Sequence, residues 1–355
     1  MDDRGTVLLT GASGYVGAHV LHCLLSHDYQ VIAAVRNVCQ ARVHFAHLLE
    51  TYSSTLAFVQ TLDLCRPGAL DPVLKLNPGI HHVIHLACPN YSYPGAAKAD
   101  EEMFAPSEAV NSNLINSIHS HGHGVRAVVI GSCFHAMMND PPRFEDPSKT
   151  YSARDINPIT KERARLDAQS ARAATRAFAE AAAWRSYTEI LGSSFSLITI
   201  ALPLLLGPPL HNISTYQQDS ALWYIQSLLE ASNRPTSPVN HEPLAPLSIP
   251  FYIDVRMAAL AFVRAIEARY CTTTRWFVAC SNISPQHIVD VLHEKLPPHR
   301  RQNLPQGNQG SGDQEIIKQC GFDPSDTEEL IGNHNRIDLH TTIADTVDRL
   351  LEFET

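Results

Sequence analysis

Three glycines near the start of the chain have the spacing of a phosphate-binding turn. Gly11, Gly14 and Gly17 lie in the run TGASGYVG, directly after the apolar residues 7–9 and just before a helical pattern of apolar residues. In a strand–turn–helix unit, such glycines let the backbone approach a pyrophosphate while the helix N-terminus faces the phosphates. The sequence therefore favours a dinucleotide site over a simple tight turn. The predicted contact residues are Thr10, Gly11, Ser13, Gly14, Tyr15 and Gly17.

The choice between NAD and NADP rests on the end of the second predicted strand, residues 30–36. This position, about 20 residues after the glycine turn, usually carries a carboxylate that binds the ribose 2′-hydroxyl of NAD. Here it is Arg36, and a guanidinium pairs with the additional 2′-phosphate of NADP. We therefore expect NADP(H) as the cofactor. The alternative is that Arg36 is a solvated residue at the strand end.

Strands and helices alternate along the first two hundred residues. Apolar runs at 30–36, 57–60, 82–86, 127–130 and 195–201 predict strands, and an alanine-rich stretch from about 164 to 184 predicts a long helix. This alternation predicts an α/β fold with a doubly wound parallel (Rossmann) sheet. Proline-rich segments after Pro203 predict a smaller C-terminal substrate lobe. We expect residues 1–202 and 249–280 in the Rossmann domain, and 203–248 and 281–355 in the lobe.

The composition indicates a folded protein that acts on small molecules. Over 355 residues the net charge is −9 and 44% of residues are hydrophobic, which excludes a fibrous or disordered chain and leaves no basic stripe for nucleic acid. The eight cysteines include no CxxC pair, so we predict reduced thiols and no metal site. No apolar run is long enough to span a membrane. We expect a cytoplasmic monomer or homodimer with a small-molecule substrate, and neither a nucleic-acid nor a membrane partner.

Further motifs resemble those of the extended short-chain dehydrogenase/reductases. They are HLACP (85–89), EAVN (108–111), VVIGSC (128–133), FAEAAAW (178–184), YIDVR (252–256) and a terminal EF (352–353), together with TGASGYVG and the Asp63-Leu64 pair. The resemblance covers nearly the whole chain and points to the branch of dihydroflavonol, cinnamoyl-CoA and yeast methylglyoxal/aldehyde reductases. It implies cofactor contacts from Asp63 and Leu64 near the adenine, from Ala87 at the nicotinamide ribose, and from Pro203 and the segment after it beside the carboxamide.

The catalytic positions of that family are changed in this chain. Its reductases use a serine, a tyrosine and a lysine, the last two in a YxxxK motif upstream of the alanine-rich run. Aligned on FAEAAAW, the tyrosine position holds Arg172 and the lysine position holds Arg176. The serine position in VVIGSC holds Cys133, preceded by Ser132. By resemblance Arg176 keeps the ribose contact, so it belongs to both the cofactor site and the catalytic site.

These replacements change the chemistry that the site can perform. A guanidinium stays protonated in proteins, so Arg172 cannot replace the tyrosine as an acid. It can still donate hydrogen bonds to an oxyanion, an enolate or a carboxylate. Cys133 is either a thiolate activated by the two arginines or a small buried hydrophobe.

Three functions are compatible with these residues. The favoured hypothesis is a non-redox step on a carbonyl-bearing small molecule of specialised metabolism, such as an isomerisation, cyclisation, aldol-type reaction or elimination, with Arg172 stabilising an oxyanion. The first alternative is an NADPH-dependent aldehyde or ketone reductase whose proton comes from His135, Tyr151, Tyr187 or water. The second alternative is a non-catalytic NADP-binding sensor.

The substrate pocket is expected, by analogy with the family, to have three sets of walls. These are residues His135, Met137 and Met138, the segment 204–215, and the proline-rich loop 233–250. Their apolar character favours a fairly bulky apolar substrate.

Overall fold

The chain forms two compact units, which both contain strands and helices. The computed structural model describes residues 4–89, 92–190, 192–211, 220–233, 244–267 and 272–354. The first unit comprises Met1–Pro142, Ala153–Ala201 and Ala259–Phe277, and the second comprises Arg143–Ser152, Leu202–Ala258 and Val278–Thr355. These bounds differ from the predicted ones because the segments 143–152 and 249–258 group with the second unit.

A seven-stranded sheet forms the centre of the first unit. In chain order the strands of both units are β1 Thr6–Thr10, β2 Gln30–Val35, β3 Leu56–Gln60, β4 Ile80–His85, β5 Ala127–Cys133, β6 Thr150–Tyr151, β7 Ser196–Leu202, β8 Leu204–Leu206, β9 Phe251–Asp254, β10 Thr274–Phe277, β11 Ser281–Asn282 and β12 Gly321–Phe322. The sheet has the order β10-β7-β5-β4-β1-β2-β3, and β1 runs parallel to both β2 and β4. The predicted doubly wound parallel sheet is confirmed.

The strand order reverses at β1, which fixes where a ligand can bind. After β1 the chain adds β2 and β3 on one side, and then β4 and β5 on the other. In open sheets of this kind, ligands bind beyond the carboxyl ends of the strands at such a switch point. The glycine turn that follows Thr10 lies at that position.

Helices flank the strands in both units. In chain order they are α1 Tyr15–Ser26, α2 Val38–His44, α3 Ala46–Thr51, α4 Asp71–Leu76, α5 Ala105–His121, α6 Lys161–Ala164, α7 Ala168–Glu189, α8 Ala221–Ser232, α9 Val255–Ala265, α10 Pro285–Lys295, α11 Pro298–Arg301, α12 Gly312–Ile316, α13 Ser325–Leu330 and α14 Leu339–Glu352. A π-helical turn, Asp100–Phe104, leads into α5, and 3₁₀ turns occupy Phe134–Ala136 and Asn333–Asn335. None of the helices among the described residues combines the length and apolar character that a membrane span needs.

The long alanine-rich helix starts later than predicted. The sequence places its start near residue 164, whereas α6 ends at Ala164 and α7 begins at Ala168. Asp167 separates them because its carboxylate accepts a hydrogen bond from the Ser170 backbone N–H at 2.7 Å and so caps α7. Similarly, β5 continues to Cys133 instead of stopping at Ile130.

Aliphatic side chains from the sheet and its helices form the main core of the first unit. The strands contribute Leu8, Val83 and Val128, and α5 contributes Leu114 and Ile118. All five side chains are at most 1% exposed. These side chains pack the helices closely against the sheet. The packing fixes the positions of the carboxyl ends of β1, β4 and β5.

The second unit has its own small sheets and an ion pair whose carboxylate is buried. Its strands form the sheet β11-β9-β8 and the pair β12-β6. Asp254, fully buried at the end of β9, accepts from Arg256 Nη2 at 2.7 Å and from Thr342 Oγ1 at 2.9 Å. Arg256 also donates to Asp345 of α14 at 2.7 Å. The aspartate and arginine of the YIDVR motif therefore hold β9 against α14.

Candidate active site

The glycine turn after β1 has no room for side chains at two of its three glycines. Gly11 has φ +76°, and a Cβ on it would lie 2.6 Å from the Ala87 backbone nitrogen. A Cβ on Gly17 would collide with the Gly11 carbonyl oxygen. Close approach of β1, α1 and the end of β4 thus requires glycine at both positions, as in a turn that brings backbone N–H groups against a ligand.

The first turn of α1 is electrostatically suited to a phosphate. Gly14 is the N-cap, no side chain caps the helix, and its first turn contains no acidic residue. Ser13 and Gly14 are exposed and Tyr15 is half-buried, so the predicted contacts Ser13, Gly14 and Tyr15 lie at an accessible helix N-terminus. The helix dipole favours an anion at this end of the helix.

A buried hydrogen-bond pair ties the ends of β1 and β4 together. Thr10 Oγ1 lies 2.9 Å from His85 Nδ1 and accepts from the Ala87 backbone N–H at 3.2 Å. Burial of the imidazole lowers the pKa of His85 to about 4. His85 is therefore neutral at physiological pH, and Thr10 fixes the position of Ala87 beside the glycine turn.

The other predicted cofactor residues lie along the same edge of the sheet. Arg36 directly follows β2 and is exposed. Asp63 accepts from the Cys65 backbone N–H at 2.9 Å, and α5 holds this loop because Asn113 Nδ2 donates to the Leu64 carbonyl at 3.4 Å. Arg36, Asp63 and Leu64 therefore follow β2 and β3 at the carboxyl edge, where the adenosine half of a dinucleotide is expected.

A cysteine and a histidine form a close pair just beyond β5. Cys133 Sγ lies 3.1 Å from His135 Nδ1, and both side chains are half-buried. Burial raises the pKa of the Cys133 thiol, but the charge of His135, its hydrogen bond and the charge of Arg176 outweigh burial and bring that pKa down to about 7. The sequence attributes the activation of Cys133 to two arginines, whereas the structure assigns the largest share of it to His135.

Two further side chains define the surroundings of this pair. Arg176, half-buried on α7, donates from its guanidinium to Cys88 Sγ. Asn157 fixes the turn that carries His135, because its Nδ2 donates to the His135 carbonyl at 2.7 Å and its backbone N–H donates to the Ala136 carbonyl at 2.9 Å. Cys88 and Asn157 were not predicted as site residues, although Cys88 lies within the HLACP motif (85–89).

Ser132 belongs to a buried polar network. Its hydroxyl donates to Glu180, whose other carboxylate oxygen accepts from Thr199 Oγ1 at 3.3 Å. Arg275 completes the network, with Nη2 donating to Glu180 Oε2 at 3.0 Å and to the Ala136 carbonyl at 3.3 Å. The side chain of Ser132, predicted as a catalytic residue, is therefore engaged with Glu180. The sequence gives no signal for Arg275.

The two tyrosines proposed as proton donors each have a defined place within their own unit. Tyr187 donates to the Phe195 carbonyl at 3.0 Å, just before β7 begins, so it lies at the amino edge of the sheet. Tyr151 is fully buried in the second unit and packs edge-on against Phe251. Tyr187 is thus excluded as an acid for chemistry at the carboxyl edge, and the Tyr151 side chain is enclosed.

The remaining predicted residues differ in how much surface they present. Arg172 is half-buried on α7, one helical turn before Arg176. Pro203 lies in the second unit and is buried. Met137 and Met138, which the sequence predicts at the pocket wall, are at most 5% exposed. Parts of the predicted pocket walls, residues 212–215 and 234–243, lie outside the described residues.

Among the residues that the structure describes, no group of three or more His, Cys, Asp or Glu side chains is placed to hold a metal ion.

Comparisons with known proteins extend the similarity to the whole chain. The sequence profile described as "NAD dependent epimerase/dehydratase family" matches residues 7–177. An uncharacterized oxidoreductase of Saccharomyces cerevisiae is 30% identical over 98% of both chains. The NADPH-dependent methylglyoxal reductase of the same yeast is 27% identical over 98% of this chain and 99% of its own. The crystal structure of yeast methylglyoxal/isovaleraldehyde reductase complexed with NADPH has a TM-score of 0.84 at 25% identity, covering 98% of this chain and 99% of that chain.

Proposed function

This chain belongs to the NAD dependent epimerase/dehydratase family, and from that premise we propose that it is an NADPH-dependent reductase of aldehydes or ketones that uses His135 as its proton donor. The observation that carries the proposal is the 3.1 Å contact between Cys133 Sγ and His135 Nδ1 at the carboxyl end of β5. A histidine within hydrogen-bonding distance of a partner that shares its proton is suited to general acid–base chemistry near neutral pH.

The residues of the first unit fit a bound NADPH. Gly11, Gly14 and Gly17 form a cradle that Cβ atoms at two positions would fill, and the uncapped N-terminus of α1 accommodates the pyrophosphate. Exposed Arg36 would pair with the 2′-phosphate, with Asp63 and Leu64 near the adenine and Ala87 near the nicotinamide ribose. When bound, NADPH supplies the hydride that reduction of a carbonyl requires.

The proton would come from the Cys133–His135 pair. Reduction of a carbonyl leaves negative charge on its oxygen, which must be stabilised and protonated. The pair holds an exchangeable proton between Sγ and Nδ1, and Asn157 keeps the His135 backbone in place. Arg172 and Arg176 are the guanidinium donors for the oxygen, since arginine donates without losing its own proton.

The comparisons support this reductase better than the favoured hypothesis of the sequence. The relatives with assigned activities that match this chain over its full length are reductases, among them an NADPH-dependent methylglyoxal reductase, whereas the match to a UDP-glucose 4-epimerase covers only 33% of this chain. Arg172 stands where the family tyrosine is expected, but this replacement removes one proton donor without removing the need for one. We therefore abandon the isomerase, cyclase and lyase hypothesis, together with specialised metabolism, in favour of the relocated donor.

The test is the turnover of the His135→Gln variant with NADPH and a small aldehyde. We expect kcat to fall by about 10²–10⁴-fold, the usual contribution of a general acid, while the Kd for NADPH stays unchanged. His119→Gln, the same substitution at an exposed histidine on α5, is the matched control and should keep full activity. Unchanged turnover in His135→Gln would remove His135 from the chemistry.

A further inference from the structure

Cys133 differs from the other cysteines in what surrounds its sulfur. Burial raises the pKa of the Cys23, Cys280 and Cys320 thiols to about 11, even though His27 Nδ1 lies 3.7 Å from Cys23 Sγ. Cys133 instead has an imidazole nitrogen 3.1 Å from Sγ, and the Arg176 guanidinium acts on the sulfur as a nearby positive charge. Thiolates, and not thiols, are nucleophiles, so a half-buried sulfur beside an imidazole and a guanidinium has the surroundings of a reactive cysteine.

We propose that Cys133 is a nucleophilic thiol that adds reversibly to the carbonyl carbon of small aldehydes, forming a hemithioacetal on the protein. The inference stands on the Cys133–His135–Arg176 cluster and does not require the reductase activity. It adds a covalent binding mode to a site for which the family positions imply only non-covalent substrate binding.

The addition balances without any further reagent. Cys133 Sγ forms the new S–C bond, the carbonyl π electrons move to the oxygen, and that oxygen takes the proton that His135 shares with the thiol. Nothing is oxidised or reduced, and reversal of the same steps releases the aldehyde.

The groups beside the sulfur favour carbonyl compounds over other electrophiles. An aldehyde develops negative charge on oxygen as sulfur adds, and hydrogen-bond donors within the site stabilise that charge. His135 and Arg176 both carry N–H donors next to Cys133. Ketones are poorer acceptors of thiols because their carbonyl carbon is more crowded and less electrophilic. Covalent capture should therefore distinguish aldehydes from ketones.

The first experiment observes the adduct directly in the cofactor-free protein. Carbon NMR of propanal labelled with ¹³C at the carbonyl should show a protein-bound tetrahedral carbon with the shift of a hemithioacetal, and labelled acetone should show none. The signal should be absent in Cys133→Ala and present in Cys88→Ala, whose thiol contacts the same Arg176 guanidinium but has no imidazole partner among the described contacts. Persistence of the signal in Cys133→Ala, or its loss in Cys88→Ala, overturns the proposal.

A second experiment needs no cysteine variant and keeps the proposal testable if Cys133→Ala does not fold. A pyridyl disulfide reagent, followed by peptide mass spectrometry, gives the reaction rate of each cysteine. In the wild type, Cys133 should react with a half-maximal rate near pH 7 and be protected by propanal, while buried Cys320 stays unreacted. A Cys133 that stays unreacted, or that reacts at the same rate with and without propanal, contradicts the proposal.

The His135→Phe variant measures how much His135 contributes to the reaction rate of the Cys133 thiol. If the thiol returned to its ordinary pKa of 9.0, the thiolate fraction at pH 7 would fall about 50-fold. The more basic thiolate is intrinsically about 8-fold more nucleophilic, so the net rate should fall roughly 6-fold. A rate that does not change would show that His135 does not activate the sulfur. Because these measurements omit NADPH, their failure leaves the proposed reductase activity to its own test.

Discussion

Substitution of Arg275 by methionine should destabilise the first unit strongly. The Arg275 side chain is 13% exposed and that of Glu180 is 7% exposed, with Arg275 Nε 2.5 Å from Glu180 Oε1. Among the described contacts, Arg275→Met leaves the buried Glu180 carboxylate with the hydroxyls of Ser132 and Thr199 as its partners. Removing one partner of a buried ion pair typically costs about 3–5 kcal/mol, because the remaining charge stays desolvated. We expect a loss of that size in the free energy of unfolding.

The assay is urea unfolding followed by circular dichroism. Arg336→Met, which breaks the half-exposed pair with Glu328, is the matched control and should change the stability by no more than about 1 kcal/mol. The double variant Arg275→Met/Glu180→Gln should lose less than the sum of its single variants, since it no longer buries an unpaired charge. A loss below about 1 kcal/mol in Arg275→Met would refute the structural role assigned to the ion pair.

Three further predictions concern the glycine turn, the 2′-phosphate and acid stability. Gly17→Ala should weaken NADPH binding at least tenfold by calorimetry, because the added methyl group displaces the Gly11 carbonyl, and an unchanged Kd would contradict the cradle. Arg36→Ala should weaken NADPH binding by about 10- to 100-fold and leave NADH binding nearly unchanged, whereas equal losses would show that Arg36 does not contact the 2′-phosphate. The pKa of His85 is lowered to about 4, so the unfolded chain binds more protons than the folded one below about pH 6.5, and stability should fall by about 3 kcal/mol between pH 6.5 and 4. If the urea midpoint of His85→Asn falls as steeply on acidification as that of the wild type, His85 does not cause the loss of stability.

The parts of the molecule predicted well are those set by local sequence. The glycine turn lies between an apolar strand and an amphipathic helix and requires glycine at positions 11 and 17. Arg36 occupies a position fixed by the length of one strand–helix–strand unit. The parallel direction of the strands follows from the same alternation, because parallel strands need helical crossovers. These features depend on periodicity and spacing, which a single sequence displays.

The parts that were missed depend on side chains brought together by the fold. Glu180 lies within a recognisable motif, but its partner Arg275 is 95 positions away and follows no pattern that links the two. The contact between Cys133 and His135 depends on the 3₁₀ turn Phe134–Ala136, which was not predicted because three residues carry too little periodic signal. Because this turn was not predicted, the sequence assigns the activation of Cys133 to the arginines of a predicted helix and not to His135.

The most direct test of the reductase proposal is a stoichiometric trace with the wild-type protein. NADPH absorbance and the alcohol product are followed together while the enzyme converts a small aldehyde. A relocated proton donor predicts that one alcohol molecule appears for every NADPH consumed, at a rate that depends on His135. Conversion of the aldehyde with no loss of NADPH absorbance, or tight NADPH binding with no conversion of any aldehyde or ketone, would contradict it.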